Sequence, residues 1–157
     1  MALSVVHDPD ADSRQVEKGC TANAALIPRV ELTEPGMLSF LAKGPSRYFG
    51  GEEAMAMHMA GVAIEAIGAV DVLAAVGGFG VGLADGRFAA AIAARQAAAD
   101  GAPTIVPNGV EATAQFLAPL SLQLLASVAG LDADFVQLLQ RLGVRQLGQL
   151  AALSVAD

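Results

Sequence analysis

The run Val76-Gly-Gly-Phe-Gly-Val-Gly-Leu83, followed at once by Ala84-Asp85-Gly86-Arg87-Phe-Ala-Ala-Ala91-Ile-Ala93, decides the fold class of this chain. Residues 76–83 read as a glycine-laced strand. The alanines beyond Gly86 are strong helix formers, so residues 86–98 read as a helix that Asp85 is placed to cap. A strand running straight into a helix predicts an α+β fold. The junction invites comparison with phosphate-cradling loops, but the dinucleotide pattern G-x-G-x-x-G fails. Counted from Gly80 and Gly82, its third position is Asp85, and Gly86 comes one residue late. No G-x-x-x-x-G-K-[ST] occurs anywhere. Two readings of the glycines stay open: they let the helix pack closely on the strand, or Gly86 and Arg87 at the helix N-terminus meet an anion.

Upstream, Leu3-Ser-Val-Val6 is a short β-branched run ended by His7-Asp8-Pro9. Asp8 and Pro9 fit an N-cap and first helical position, predicting a helix over 10–26 that stops before Pro28. Arg29-Val-Glu-Leu-Thr33 alternates polar and apolar residues as a half-buried strand does, and Met37-Leu-Ser-Phe-Leu41 alternates again after Glu34-Pro35-Gly36. The pair is either a hairpin or one kinked strand. Lys43-Gly44-Pro45-Ser46 is a turn, and Gly50-Gly51-Glu52-Glu53 opens a helix to about residue 67 with acids at its positive end. Downstream, Thr104-Ile-Val106 is a short strand between prolines. From Glu111 the β-runs cease and several short helices follow. The division falls near Asn108-Gly109, giving an α+β domain over 1–109 and a helical segment over 110–157. The sheet should be small and antiparallel, contain the 29–41 and 76–83 segments, and be covered by helices over 48–67 and 86–98.

Composition narrows the class. The 157 residues are 54% hydrophobic and 16% charged, enough to bury a core and too apolar for disorder over most of the length. The single Cys20 excludes an internal disulfide. The longest apolar run, residues 72–84, falls short of the roughly 18 residues a membrane span needs. The first residues lack the basic and apolar regions of a signal peptide, so a cytoplasmic location with no membrane partner is expected. A net charge of −7 argues against a strongly electrostatic nucleic-acid binder, while leaving room for a few local contacts.

Several constellations have ordinary explanations. Asp8, Asp10 and Asp12 alternate like a calcium loop, but Ser13 and Gly19 stand where that loop needs Gly and Glu; they read as solvated, capping carboxylates. His7 and His58 have no acid or thiol at ligand spacing. Cys20 has no basic activator nearby. Met55, Met57 and Met59 read as core filling on one helix. The segment Phe135-Val-Gln-Leu-Leu-Gln-Arg-Leu142-Gly143-Val144-Arg-Gln-Leu-Gly-Gln-Leu150 is more informative. Two short helices flank a hydrophobic-Gly-hydrophobic turn, the sequence form of a helix-hairpin-helix. Its backbone N–H groups can meet a nucleic-acid phosphate irrespective of base sequence, with Arg141, Gly143, Val144 and Arg145 at the contact. An αα-hairpin serving packing alone reads equally from the same residues.

Taken in order, these pieces resemble the post-finger half of a Y-family (translesion) DNA polymerase, nearest to its actinobacterial ImuB-like accessory branch. The strings that carry the resemblance are the strand Val30-Glu-Leu-Thr-Glu34, Gly44-Pro-Ser-Arg-Tyr-Phe-Gly-Gly-Glu-Glu53, Ala84-Asp-Gly-Arg-Phe-Ala-Ala90, Phe116-Leu-Ala-Pro-Leu120 and the Leu142-Gly143-Val144 turn. Together they span nearly the whole chain. The resemblance implies a polymerase-type palm, a ferredoxin-like sheet with helices, followed by a small helical thumb carrying the helix-hairpin-helix.

The departures from the family pattern matter as much. Catalytic members carry an Asp-Glu pair on the second palm strand to hold Mg²⁺; the matching positions here are Glu34 and Pro35, and proline ligates no metal. Glu34 is thus a degenerate metal-ligand position. The lysine that meets the incoming triphosphate matches Arg87, beside Gly86, and a second lysine matches Ala91. The first palm strand and fingers are expected upstream, and the little finger and clamp motif downstream. The resemblance therefore implies a non-catalytic palm/thumb fragment acting in DNA repair and translesion synthesis, with no cofactor expected. Its partners would be weakly and non-specifically bound DNA and, through the full-length protein, a replicative-type polymerase, a RecA-like subunit and the sliding clamp. A gap beside the 29–41 strands should drive self-association or be filled by N-terminal residues. Two alternatives remain: a part of an active, Mg²⁺-dependent nucleotidyltransferase whose other acids lie elsewhere, or a small anion-binding α+β module at Gly86 and Arg87.

Overall fold

The computed structural model describes residues 2–6, 21, 22, 25, 27, 29–34, 37–67 and 79–153. It divides into two compact units, Met1–Val106 and Pro107–Asp157. In chain order the first holds β1 (Ala2–Val6), β2 (Glu31–Glu34), β3 (Met37–Leu41), α1 (Pro45–Tyr48), α2 (Glu52–Ile67), β4 (Gly80–Ala84), α3 (Arg87–Asp100) and β5 (Thr104–Ile105). The second holds α4 (Val110–Leu117), α5 (Leu124–Ser127), α6 (Ala133–Arg141) and α7 (Leu147–Ala151). The chain is therefore α+β, with seven helices among the described residues. No helix among those residues is long and apolar enough to cross a membrane.

The five strands form one sheet in the order β2-β3-β1-β4-β5. β2 and β3 pair antiparallel, which settles the 29–41 segment as a hairpin, with a register irregularity between Leu32 and Glu34. β1 lies between β3 and β4, antiparallel to both. N-terminal residues thus occupy the place beside β3, which is paired on both sides. The sheet is antiparallel over β2, β3, β1 and β4, as expected for the segments read into it, while β5 runs parallel to β4. The reason is the connection: a strand, a crossover helix and a returning strand form a βαβ unit, whose strands are parallel.

Register assigns the faces. Ser4 stands opposite Ser39 on one side and Gly82 on the other, so these three share a face, and their neighbours Leu38, Phe40, Val81 and Leu83 take the opposite one. There they join Ile27 with Met55, Ala56 and Met59 of α2 in the hydrophobic core. The first face receives α3, whose buried surface is made of Ile92 and alanines. A β-carbon on Gly80 would stand 2.9 Å from the Ala98 Cα. Close packing of helix on strand is thus what Gly80 and Gly82 permit. Within this face the Ser4 and Ser39 hydroxyls meet at 2.8 Å, each satisfying a buried polar group.

Other local expectations shift slightly. The residue at the N-cap of α3 is Gly86, one position after Asp85. The turn needs φ +88° at that position, which favours glycine and leaves Asp85 one residue too early. Thr21, Ala22 and Ala25 are helical; the rest of the helix expected over 10–26, with Asp8, Pro9 and Cys20, lies outside the described residues, except Ile27 beyond its end. Residues 76–78 lie outside them too.

The second unit is built on small contacts. Leu122, Val136 and Leu147 are buried. The 118–122 segment runs beside 145–148: Leu122 N–H donates to the Arg145 carbonyl at 2.9 Å, Leu147 N–H to Leu120 and Gly148 N–H to Ala118, each at 3.0 Å. Asp132 caps α6 by accepting from the Asp134 N–H at 2.9 Å.

Candidate functional site

The first candidate site is the β4–α3 junction. Gly86 is exposed and a β-carbon there would meet open space, so its role is conformational. It turns the chain out of β4 so that α3 begins at Arg87, with its first amides at the N-terminal end of the helix. Such amides, with the helix dipole behind them, favour negative charge. The Arg87 guanidinium beside them donates to the Glu31 carboxylate of β2. Both side chains are exposed, 62% and 61%. An ion pair so solvated is worth no more than about 1 kcal/mol, so a polyanion can compete with Glu31 for Arg87. Sequence reading found Gly86 and Arg87 but missed Glu31. Its alternation with Val30 and Leu32 marks it as solvent-facing, yet nothing local joins it to a residue 56 positions away.

Glu34 ends β2, an edge strand, where its Cα is registered against Met37. Pro35 lies outside the described residues. Among the described residues no three His, Cys, Asp or Glu side chains come together in a group that could hold a metal ion. Glu34 and its neighbour Pro35 supply one carboxylate between them, which does not fit a two-metal centre, where several carboxylates must converge.

The second candidate site lies in the helical unit, at the turn from α6 into α7. Gly143 adopts φ +94°, and its N–H donates to the Gln140 carbonyl while the Val144 N–H donates to Leu139, both at 3.0 Å. These two bonds make the paired closure of a Schellman motif around a glycine. The next two amides are also engaged: Gln149 Oε1 accepts from Arg145 N–H at 2.7 Å and from Gln146 N–H at 3.2 Å. The turn's amides therefore point into the protein's own acceptors. What remains free to reach a phosphate is the pair of exposed side chains Arg141 and Arg145. The sequence placed the Gly turn; it did not disclose that Gln149 would take up the amides beside it.

No family model matches the chain, and no curated protein sequence matches it significantly.

Proposed function

We propose that this chain is a non-catalytic palm/thumb fragment of an accessory Y-family DNA polymerase, serving as a scaffold in DNA repair and translesion synthesis. The observation that carries the reading is the ordered set of motifs from the strand Val30-Glu-Leu-Thr-Glu34 to Leu142-Gly143-Val144. Its support in the fold is coarser: an α+β unit containing a βαβ element precedes an all-helical unit with a glycine-turned hairpin. Within the reading, Pro35 replaces a metal-binding acid, leaving Glu34 without the partner that two-metal nucleotidyl transfer requires. Arg87 retains the charge that would meet a triphosphate. Arg141 and Arg145 give the thumb a weak hold on DNA phosphates with no means of reading bases. Each such contact steepens the dependence of log affinity on log salt by somewhat less than one unit, about 0.9 for duplex DNA. The replicative-type polymerase, RecA-like subunit and sliding clamp would be met by the full-length protein.

Primer extension with Mg²⁺ or Mn²⁺ tests the reading, comparing the chain with Glu34→Ala. No extension by either is expected. Extension by the unaltered chain that disappears in Glu34→Ala would overturn the scaffold reading in favour of an enzyme. Titration of labelled duplex supplies the positive arm, with weak, salt-sensitive binding expected to be lost in Arg141→Ala/Arg145→Ala.

A further inference from the structure

One apolar face of the helical unit stays uncovered. Leu131, Phe135, Leu138 and Leu142 are 39%, 50%, 51% and 72% exposed. A spacing of three and then four residues runs Phe135, Leu138 and Leu142 along one side of α6 as far as its C-cap, while Leu131 precedes the non-helical N-cap Asp132 and stands outside this stripe. This is the spacing of a two-helix seam, in which apolar residues recur every 3.5 positions on average. The helix also has a buried side, where Val136 lies. α6 thus presents two faces, one packed home and one open to solvent.

The charges beside the open face select its occupant. Asp134 and Arg141 are both exposed, and a separation of seven residues, two helical turns, puts them on the same flank of the stripe. The flank is therefore negative toward the start of α6 and positive toward its end. A second α6 laid antiparallel about a two-fold axis near Leu138 keeps that flank on the same side and reverses its direction. Asp134 of each copy then faces Arg141 of the other, while Phe135, Leu138 and Leu142 interdigitate. A parallel partner would set this flank against the opposite flank of its mate, so Asp134 and Arg141 would not meet each other across the pair. We propose that the open face of α6 is a self-association surface, through which two copies of this chain form an antiparallel, two-fold symmetric helix pair. Such an interface is isologous and closes at two copies. A stripe on a nine-residue helix buries less than the roughly 1,200 Å² of ordinary stable complexes, so the dimer is weak and its population depends on concentration.

Sedimentation equilibrium on the full chain tests this, with circular dichroism verifying the fold of each variant. The unaltered chain should shift from monomer toward dimer below about 1 mM, and Leu138→Ser, a change on an exposed face, should abolish the shift. Asp134→Arg alone sets two positive charges against each other at both contacts, and Arg141→Asp alone sets two negative ones; each should weaken association about tenfold. An equimolar mixture of these two single variants restores opposite charges at both contacts and should regain association. A chain that stays monomeric throughout overturns the proposal. So does association indifferent to Leu138→Ser, which puts the interface elsewhere, and so does a mixture no stronger than its components, which rules out the antiparallel pairing.

Discussion

Gly82 on β4 and Ala94 on α3 approach so closely that a β-carbon on Gly82 would overlap the Ala94 amide nitrogen and stand 2.6 Å from the Ala93 carbonyl carbon. The helix answers with alanines, so backbone lies almost directly on backbone. This contact joins the sheet to the helix that carries Arg87.

Gly82→Ala should cost about 3 kcal/mol or more, because the clashing atoms are backbone and cannot rotate away. Urea denaturation measures it. Gly61→Ala is the control: Gly61 sits exposed within α2 with nothing near its would-be β-carbon, and alanine there should stabilise by about 0.5–1 kcal/mol.

The buried Ser4–Ser39 hydroxyl pair predicts non-additivity. Either serine changed alone to alanine leaves the other hydroxyl buried without its partner, costing about 1–3 kcal/mol. Ser4→Ala/Ser39→Ala together should cost clearly less than the two single losses summed. Strict additivity in the double-mutant cycle would show that the hydroxyls do not depend on each other.

Glu31→Gln releases Arg87 from its ion pair. Stability should change by less than about 1 kcal/mol, since both side chains are largely solvated. If Arg87 meets a triphosphate, Glu31→Gln should tighten nucleotide binding in calorimetry and Arg87→Ala should remove it. Identical heats for all three chains would take the anion site away from the β4–α3 junction.

Gly143→Ala probes the hairpin without a steric clash, since nothing lies within 4 Å of the added carbon. The cost is conformational, about 1–2 kcal/mol for a left-handed backbone in an L-residue. Hydrogen exchange should report it as lost protection at the Gly143 and Val144 amides, which close the end of α6.

Much of the local structure was readable from residues that act on their near neighbours. Alternation in Met37–Leu41, the acids at the start of α2, the alanines of α3 and the glycine after Leu142 each bias the backbone within a turn or two, and each element formed where those biases lie. Asp85 shows the limit: the sequence favoured it as the cap, but the direction of the turn required glycine at the cap itself.

The remote relationships came only with the tertiary structure. Nothing within residues 2–6 specifies that they lie between β3 and β4, nor does the Thr104–Ile105 pair announce its parallel partner. The Glu31–Arg87 ion pair, the Ser4–Ser39 hydroxyl pair and the capture of the Arg145 and Gln146 amides by Gln149 likewise depend on which segments meet. By itself, then, the sequence determined the α+β class, most of the strands and helices and the glycine turns, because backbone preference and hydrophobic period are local. Strand order, the faces taken by α2 and α3, and the partners of each charge and amide were decided by packing, because burial rewards whichever distant surfaces fit together.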